Sequence, residues 1–225
     1  MRARQLPLDL GHRPALGRED FLVAPGNAEA VAWLDRWPDW PAGRLCLHGP
    51  SGCGKSHLVQ AFTARSGAEV VAAGSLSHDD PPRLARAAAI VVEDADQGVD
   101  ETALMHLYNL VAEQGRTLLL TGRQPPGRWD VVLPDLRSRL ATVTAVAITA
   151  PDDAVMAAVM VKLFADRQLA VGPEVVAYLT ARMERSFAAA RTVVATIDAL
   201  ALARRRPVTV PLVAEALRKL LPNTP

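Results

Sequence analysis

Apolar residues recur along this chain with two different periods, and the place where the pattern changes divides it. Between 27 and 37, Ala30, Val31, Leu34 and Trp37 follow one another at three- or four-residue intervals, which puts them on one face of a helix that stops before Pro38. Five short runs, at Arg44–His48, 69–73, Ala89–Glu93, 117–121 and 142–148, are β-branched or Leu-rich and predict strands. Segments between them, such as 57–65 and Glu101–Glu113, carry helical spacing. Strands alternating with helices predict a parallel sheet covered on both faces. After Pro151 the alternation ends, and 152–168, 173–185, 187–203 and 211–221 predict helices with no long strand between them.

The expected architecture is α/β: a three-layer αβα domain at 20–150 around a parallel five-stranded sheet, then a small all-helical lid domain at 151–225. Residues 1–19 are rich in Pro, Gly and Arg and predict an extended tail outside the core. A chain of 225 residues suits one good-sized core with a satellite. There is no internal repeat.

Composition narrows the function classes. Half the residues are hydrophobic and the formal net charge is +1, so a disordered tail protein is excluded and no whole-chain electrostatic case for nucleic acid exists. Any contact with DNA has to be local or made through another protein. Two cysteines, Cys46 and Cys53, are too few for a disulfide framework and predict a reducing compartment. No stretch approaches the roughly 20 apolar residues of a membrane span, and residues 1–10 lack the apolar run of a signal peptide, so a cytoplasmic protein without a membrane partner is expected. The run Arg204-Arg205-Arg206 ends a predicted helix, where cations complement the dipole, and reads as a solvated cap.

The most specific signal is Gly49-Pro50-Ser51-Gly52-Cys53-Gly54-Lys55-Ser56, which satisfies the phosphate-loop pattern between a predicted strand and a helix opening at His57. Backbone amides and a helix N-terminus suit a phosphate anion. Lys55 is expected to reach the outer phosphates and Ser56 to hold Mg2+, so the nucleotide contacts run from Gly49 to His57 and the cofactor is ADP or ATP. The strand Ile90-Val91-Val92 ends in Glu93 and Asp94, acids placed to fix the metal. The next strand ends at Thr121, where resemblance to the AAA+ proteins implies a polar side chain beside the terminal phosphate; ordinary β-propensity also explains a threonine there.

These features resemble the AAA+ proteins, whose acidic pair usually reads Asp then Glu. Here the order is reversed, with the longer Glu93 at the metal position and the shorter Asp94 at the base position, which predicts weak intrinsic turnover. Three further segments are similar to the AAA+ module of the DnaA family, and more narrowly to the Hda regulators within it. In Asp20-Phe21-Leu22-Val23-Ala24-Pro25-Gly26-Asn27 the resemblance implies that Leu22 and Val23 pack on adenine, although a hydrophobic staple onto the helix would also place apolar residues there. In Leu133-Pro134-Asp135-Leu136-Arg137-Ser138-Arg139-Leu140 it implies that Arg139 is an arginine finger. Two residues apart on a helix means about 200° of rotation, so Arg137 and Arg139 cannot share one target. Without the family, this segment reads as an amphipathic turn with a solvated arginine pair. In Phe187-Ala188-Ala189-Ala190-Arg191-Thr192 the resemblance makes Arg191 a phosphate sensor, while Asp198 or Glu184 is an alternative partner for it.

The tail contains Gln5-Leu6-Pro7-Leu8-Asp9-Leu10, which is similar to the short peptides that bind the sliding clamp of bacterial DNA polymerase III, its β subunit. Gln5, Leu6, Leu8 and Leu10 are the implied contacts, and folding back onto the core is the competing use of those leucines. The stretch up to Pro225 has neither the length nor the basic density expected of a helix-turn-helix DNA reader. The resemblance therefore implies a regulator of replication initiation that docks on the clamp and stimulates hydrolysis of ATP bound to DnaA through Arg139 in trans. It would meet DNA only through the clamp and could self-associate through the same surface. The alternative is an ATP-powered loader or remodeller with its own turnover.

Overall fold

The computed structural model describes residues 23–220. Compact packing divides them into two units: 23–49 with 55–148, and 50–54 with 149–220. The division cuts the glycine-rich loop at both ends and groups its crest with the helical unit.

In the first unit, helix α1 (Ala28–Asp35) precedes strand β1 (Arg44–His48), and α2 (Lys55–Ser66) follows the loop. Then come β2 (Glu69–Ala72), α3 (Pro81–Leu84), β3 (Ala89–Glu93), α4 (Glu101–Glu113), β4 (Thr117–Gly122), α5 (Pro134–Leu140) and β5 (Thr144–Ala147). The strands form one sheet in the order β2-β3-β4-β1-β5, parallel throughout. β1, β3 and β4 are buried along their length, as a sheet covered on both faces requires, whereas the edge strand β2 is largely exposed.

Side chains alternate across the sheet, so each central strand serves two cores. On one face Cys46, Ile90, Val92, Leu118 and Leu120 pack with Leu104, Leu107 and Tyr108 of α4 and with Leu136 and Leu140 of α5. The opposite positions, Leu45, Leu47, Val91 and Leu119, are fully buried as well, as are Leu34 of α1 and Leu58 and Phe62 of α2. Trp40 stacks on Phe62 with centroids 5.3 Å apart, and the Trp37 indole donates to the Thr117 hydroxyl at 2.9 Å.

The second unit is a helical assembly of α6 (Asp153–Asp166), α7 (Pro173–Thr180), α8 (Phe187–Arg204) and α9 (Val210–Leu220). Met160, Phe164, Leu179, Val194, Ile197 and Val213 fill its core. Asp152 caps α6 by accepting the Val155 N–H at 2.8 Å, and Ser186 caps α8 by accepting that of Ala189 at 3.1 Å. Among the described residues no helix is long and apolar enough to cross a membrane.

Several expected boundaries shift for local reasons. The helix expected at 173–185 ends at Thr180, and the chain turns through 181–185 before Ser186, extended (φ −138°, ψ 144°), caps α8. The strand expected from 142 begins at Thr144, since the Thr142 hydroxyl donates to the Arg139 carbonyl at 2.7 Å and finishes the α5 turn instead. The arginine run also departs from a purely solvated cap: Arg204 pairs with Glu215 of α9, while Arg205 ends α8 in the left-handed conformation.

Candidate nucleotide site and the arginine-bearing helix

The glycine-rich loop leaves β1 at His48 and enters α2, a 12-residue helix, at Lys55. Gly52 (φ 74°) and Gly54 (φ 110°) occupy conformations that side chains rarely adopt. A Cβ at Gly52 would also lie 2.4 Å from that of Ser186, so the crest packs tightly against the start of α8 within its unit. Lys55 is buried and donates from Nζ to the Gly49 carbonyl at 2.7 Å. Ser56, in the first turn of α2, is exposed. An ammonium, a hydroxyl and the N-terminus of a three-turn helix form a donor set that fits a phosphate anion.

At the same end of the sheet the register sets His48 beside Gly122, and Val92 beside Leu120. Glu93 at the end of β3 is half-buried, and Asp94 after it is exposed with φ 53°. The Asp94 N–H donates to the Thr121 hydroxyl at 2.9 Å, and the Ala95 N–H to the Thr121 carbonyl at 2.8 Å. Thr121 itself is buried. The structure thus brings Thr121 and the acidic pair together, and the oxygen chemistry of Glu93 and Asp94 fits a hard cation such as Mg2+.

Sequence reasoning passed over two neighbours. Asp96 accepts the N–H groups of Arg123 and Gln124, at 2.5 and 3.1 Å, and so ties the loop after β3 to the loop after β4. A third acid two residues beyond the pair was its only signal. His48 has its pKa lowered from 6.5, first by burial and then by the charges of Arg128 and Lys55. Beneath both, burial pushes the Cys46 thiol far up, with Asp96 adding to the effect, so that this cysteine stays protonated.

On α5 the two arginines part company. Arg137 turns back and donates from Nε to the Val131 carbonyl at 3.0 Å, with Nη2 donating to the same oxygen. Arg139 is exposed; its guanidinium carbon lies 5.8 Å from the centroid of the Tyr108 ring, whose hydroxyl donates to the Arg139 carbonyl at 3.4 Å. The Glu101 carboxylate accepts the N–H groups of Val132 and Leu133 at 2.8 and 2.7 Å. No periodic signal could have revealed Glu101, because its partners lie 31 and 32 residues further on.

Arg191 is exposed near the start of α8, so no burial cost demands an internal partner. Of the carboxylates considered for it, Asp198 lies 3.8 Å from Arg167 instead. Val23 is half-buried ahead of α1, where Asn27 accepts the Ala24 N–H at 2.8 Å. Leu22, and Gln5, Leu6, Leu8 and Leu10 of the tail, lie outside the described residues.

Comparisons with known proteins agree with this architecture. Residues 153–217 match the family described as Hda, lid domain. The chromosomal replication initiator protein DnaA of Thermomicrobium roseum is 26% identical over 236 residues, covering 93% of this chain and 50% of that protein. The chain therefore spans about half the length of this relative. Domain III of the Thermotoga maritima replication initiation protein DnaA superposes with a TM-score of 0.74 at 16% identity, over 96% of this chain and 98% of that one. AMPPCP-bound DnaA from Aquifex aeolicus gives 0.70 at 18% identity, over 94% of this chain and 70% of that one.

Proposed function

We propose that the chain is an Hda-type, DnaA-related AAA+ protein that binds ADP or ATP with Mg2+ and stimulates hydrolysis of ATP held by DnaA, restraining re-initiation of replication; the lid-domain match and the DnaA relative support this reading. Lys55 and Ser56, with the loop from Gly49 and the amides of 51–57, would hold the phosphates, Val23 and Leu22 the base, and Arg191 the terminal phosphate. Glu93 would hold the metal. A bound nucleotide supplies a phosphoryl group and a fixed charge. Support comes from the loop chemistry above and from the relatives, one of which carries AMPPCP.

The observation that carries the trans-acting reading is the division of labour on α5. Both residues are exposed, but the Arg137 guanidinium is committed to the Val131 carbonyl, whereas that of Arg139 lies 5.8 Å from the Tyr108 ring centroid without a hydrogen bond or ion pair among the described residues, and is placed to meet a phosphate outside its own fold. A guanidinium delivered to a neighbouring active site stabilises charge that develops during transfer and can be worth about 10³ to 10⁵ in rate. Docking on the DNA-loaded sliding clamp through Gln5, Leu6, Leu8 and Leu10 would bring this arginine to DnaA at the replication site.

The test is hydrolysis of labelled ATP preloaded on DnaA, with clamp on DNA and this protein added. Arg139→Ala should remove the stimulation while ADP binding by the chain stays intact. Undiminished stimulation by Arg139→Ala would defeat this reading. The ordered pairing of Asp94 with Thr121 favours a second reading, turnover at the chain's own site. Robust ATPase activity of the isolated protein, lost in Glu93→Ala and Asp94→Ala, would establish it.

A further inference from the structure

We propose that Glu101 is a positioning residue for the arginine finger, acting through the backbone at the start of α5; this rests on the reading of Arg139 above. Helix α5 has only seven residues, too few to hold a direction by its own hydrogen bonds. Its N-cap, Leu133, has no side-chain capping bond. The acceptor comes from another helix instead: Glu101, in the first turn of α4, takes the Val132 N–H at 2.8 Å and the Leu133 N–H at 2.7 Å, one for each carboxylate oxygen. The first turn of α4, which carries Glu101, is fixed in turn, because Asp100 caps it by accepting the Ala103 N–H at 3.0 Å.

From the other side, Arg137 binds the Val131 carbonyl. Three consecutive positions ahead of the helix are thereby bound, the carbonyl of 131 and the amides of 132 and 133. Buried Leu136 and Leu140 fasten the inner face of α5, and the Tyr108 hydroxyl meets the carbonyl of Arg139. α4 thus holds the finger helix at both ends.

Leverage makes the Glu101 contact matter. Arg139 lies six residues beyond Leu133, about 9 Å along the axis, so a tilt of about 6° at the start of α5 moves its Cα by about 1 Å. A displacement of that size at a reacting phosphate can cost about a hundredfold in rate. Stability should change little by comparison, because Val132 is 77% exposed and its amide can turn to water when the carboxylate is lost.

The experiment uses the full chain carrying Glu101→Ala or Glu101→Gln, titrated into DnaA preloaded with labelled ATP on clamp-loaded DNA, under single-turnover conditions. For Glu101→Ala, the maximal stimulated rate should fall about tenfold or more, while the half-saturating concentration stays within about twofold. Glu101→Gln keeps one acceptor oxygen and should fall between Ala and wild type. In an Arg139→Ala background, Glu101→Ala should bring no further loss. ADP affinity and thermal unfolding confirm that each variant is folded, and the near-isosteric Gln variant decides alone if the Ala variant is not.

An inactive Arg139→Ala beside a fully active Glu101→Ala would overturn the positioning role and leave the finger reading standing. A Gln variant no better than Ala, or a loss confined to the half-saturating concentration, would also overturn it. Full activity of Arg139→Ala would remove both.

Discussion

Asp94 sits at φ 53° with its N–H held by the hydroxyl of Thr121 at 2.9 Å, so the end of β4 supports a left-handed turn at the end of β3. Aspartate tolerates this conformation better than most residues, yet a non-glycine residue there still carries a conformational cost, and the bond from buried Thr121 offsets part of it. Thr121→Val should therefore lower stability by about 1 kcal/mol, with Thr121→Ser largely restoring it. Urea unfolding monitored by tryptophan fluorescence measures the difference. Equal midpoints for Val and wild type would show that the hydroxyl contributes nothing.

Removing the ammonium of Lys55 should weaken nucleotide binding more than it weakens the fold. A charge-assisted hydrogen bond contributes roughly 1.5–3 kcal/mol, so Lys55→Ala is expected to reduce affinity for ADP or ATP about tenfold to a hundredfold. Calorimetric titration in the presence of Mg2+ reads this directly.

Two glycines separate backbone strain from crowding. Gly98 (φ 81°) has nothing within 4 Å of an added Cβ, so Gly98→Ala should cost about 1 kcal/mol from conformation alone. Gly52→Ala adds the 2.4 Å approach to Ser186 and should cost about 1–3 kcal/mol more. Comparison of thermal midpoints tests the order.

The His48 imidazole should titrate below 6.5, because burial and the charges of Arg128 and Lys55 disfavour its charged form. A histidine with a lowered folded-state pKa binds its proton more weakly folded than unfolded. Its contribution to stability is therefore whole above about 6.5 and declines as the pH falls through and below that value. An NMR titration of the ring measures the pKa, and added ADP should raise it by bringing negative charge near. A resonance titrating above 6.5 in the free protein would contradict this account.

Binding to the sliding clamp tests the role of the tail directly. A Gln5→Ala, Leu8→Ala double variant should lose recovery on immobilised sliding clamp while retaining ADP affinity. Equal recovery of variant and wild type would end that assignment.

Much of the fold was readable along the chain because it depends on local signals. Strands Arg44–His48 and Ala89–Glu93 and helix Glu101–Glu113 fall where hydrophobic spacing and turn residues put them. Strand-like spacing extends back to Thr142, but its hydroxyl closes the end of α5 instead, a side-chain choice that periodicity does not register. The short helix α3 and the roles of Asp96 and Glu101 were likewise invisible, since each depends on a neighbour that only folding supplies.

The chain by itself determined an alternating α/β layer followed by helices, and a phosphate loop between a strand and a helix. Those features are written in residue spacing and in the backbone freedom of glycine. Both α5 arginines are exposed, and tertiary structure alone decided which guanidinium is tied to its own backbone. Arg137 and Arg139 are equivalent in composition and charge, and they diverge only because the Val131 carbonyl takes one guanidinium while α4 holds the helix that presents the other. Local pattern carries no information about a carboxylate 32 residues away, and that contact forms only when two helices pack on the same face of the sheet.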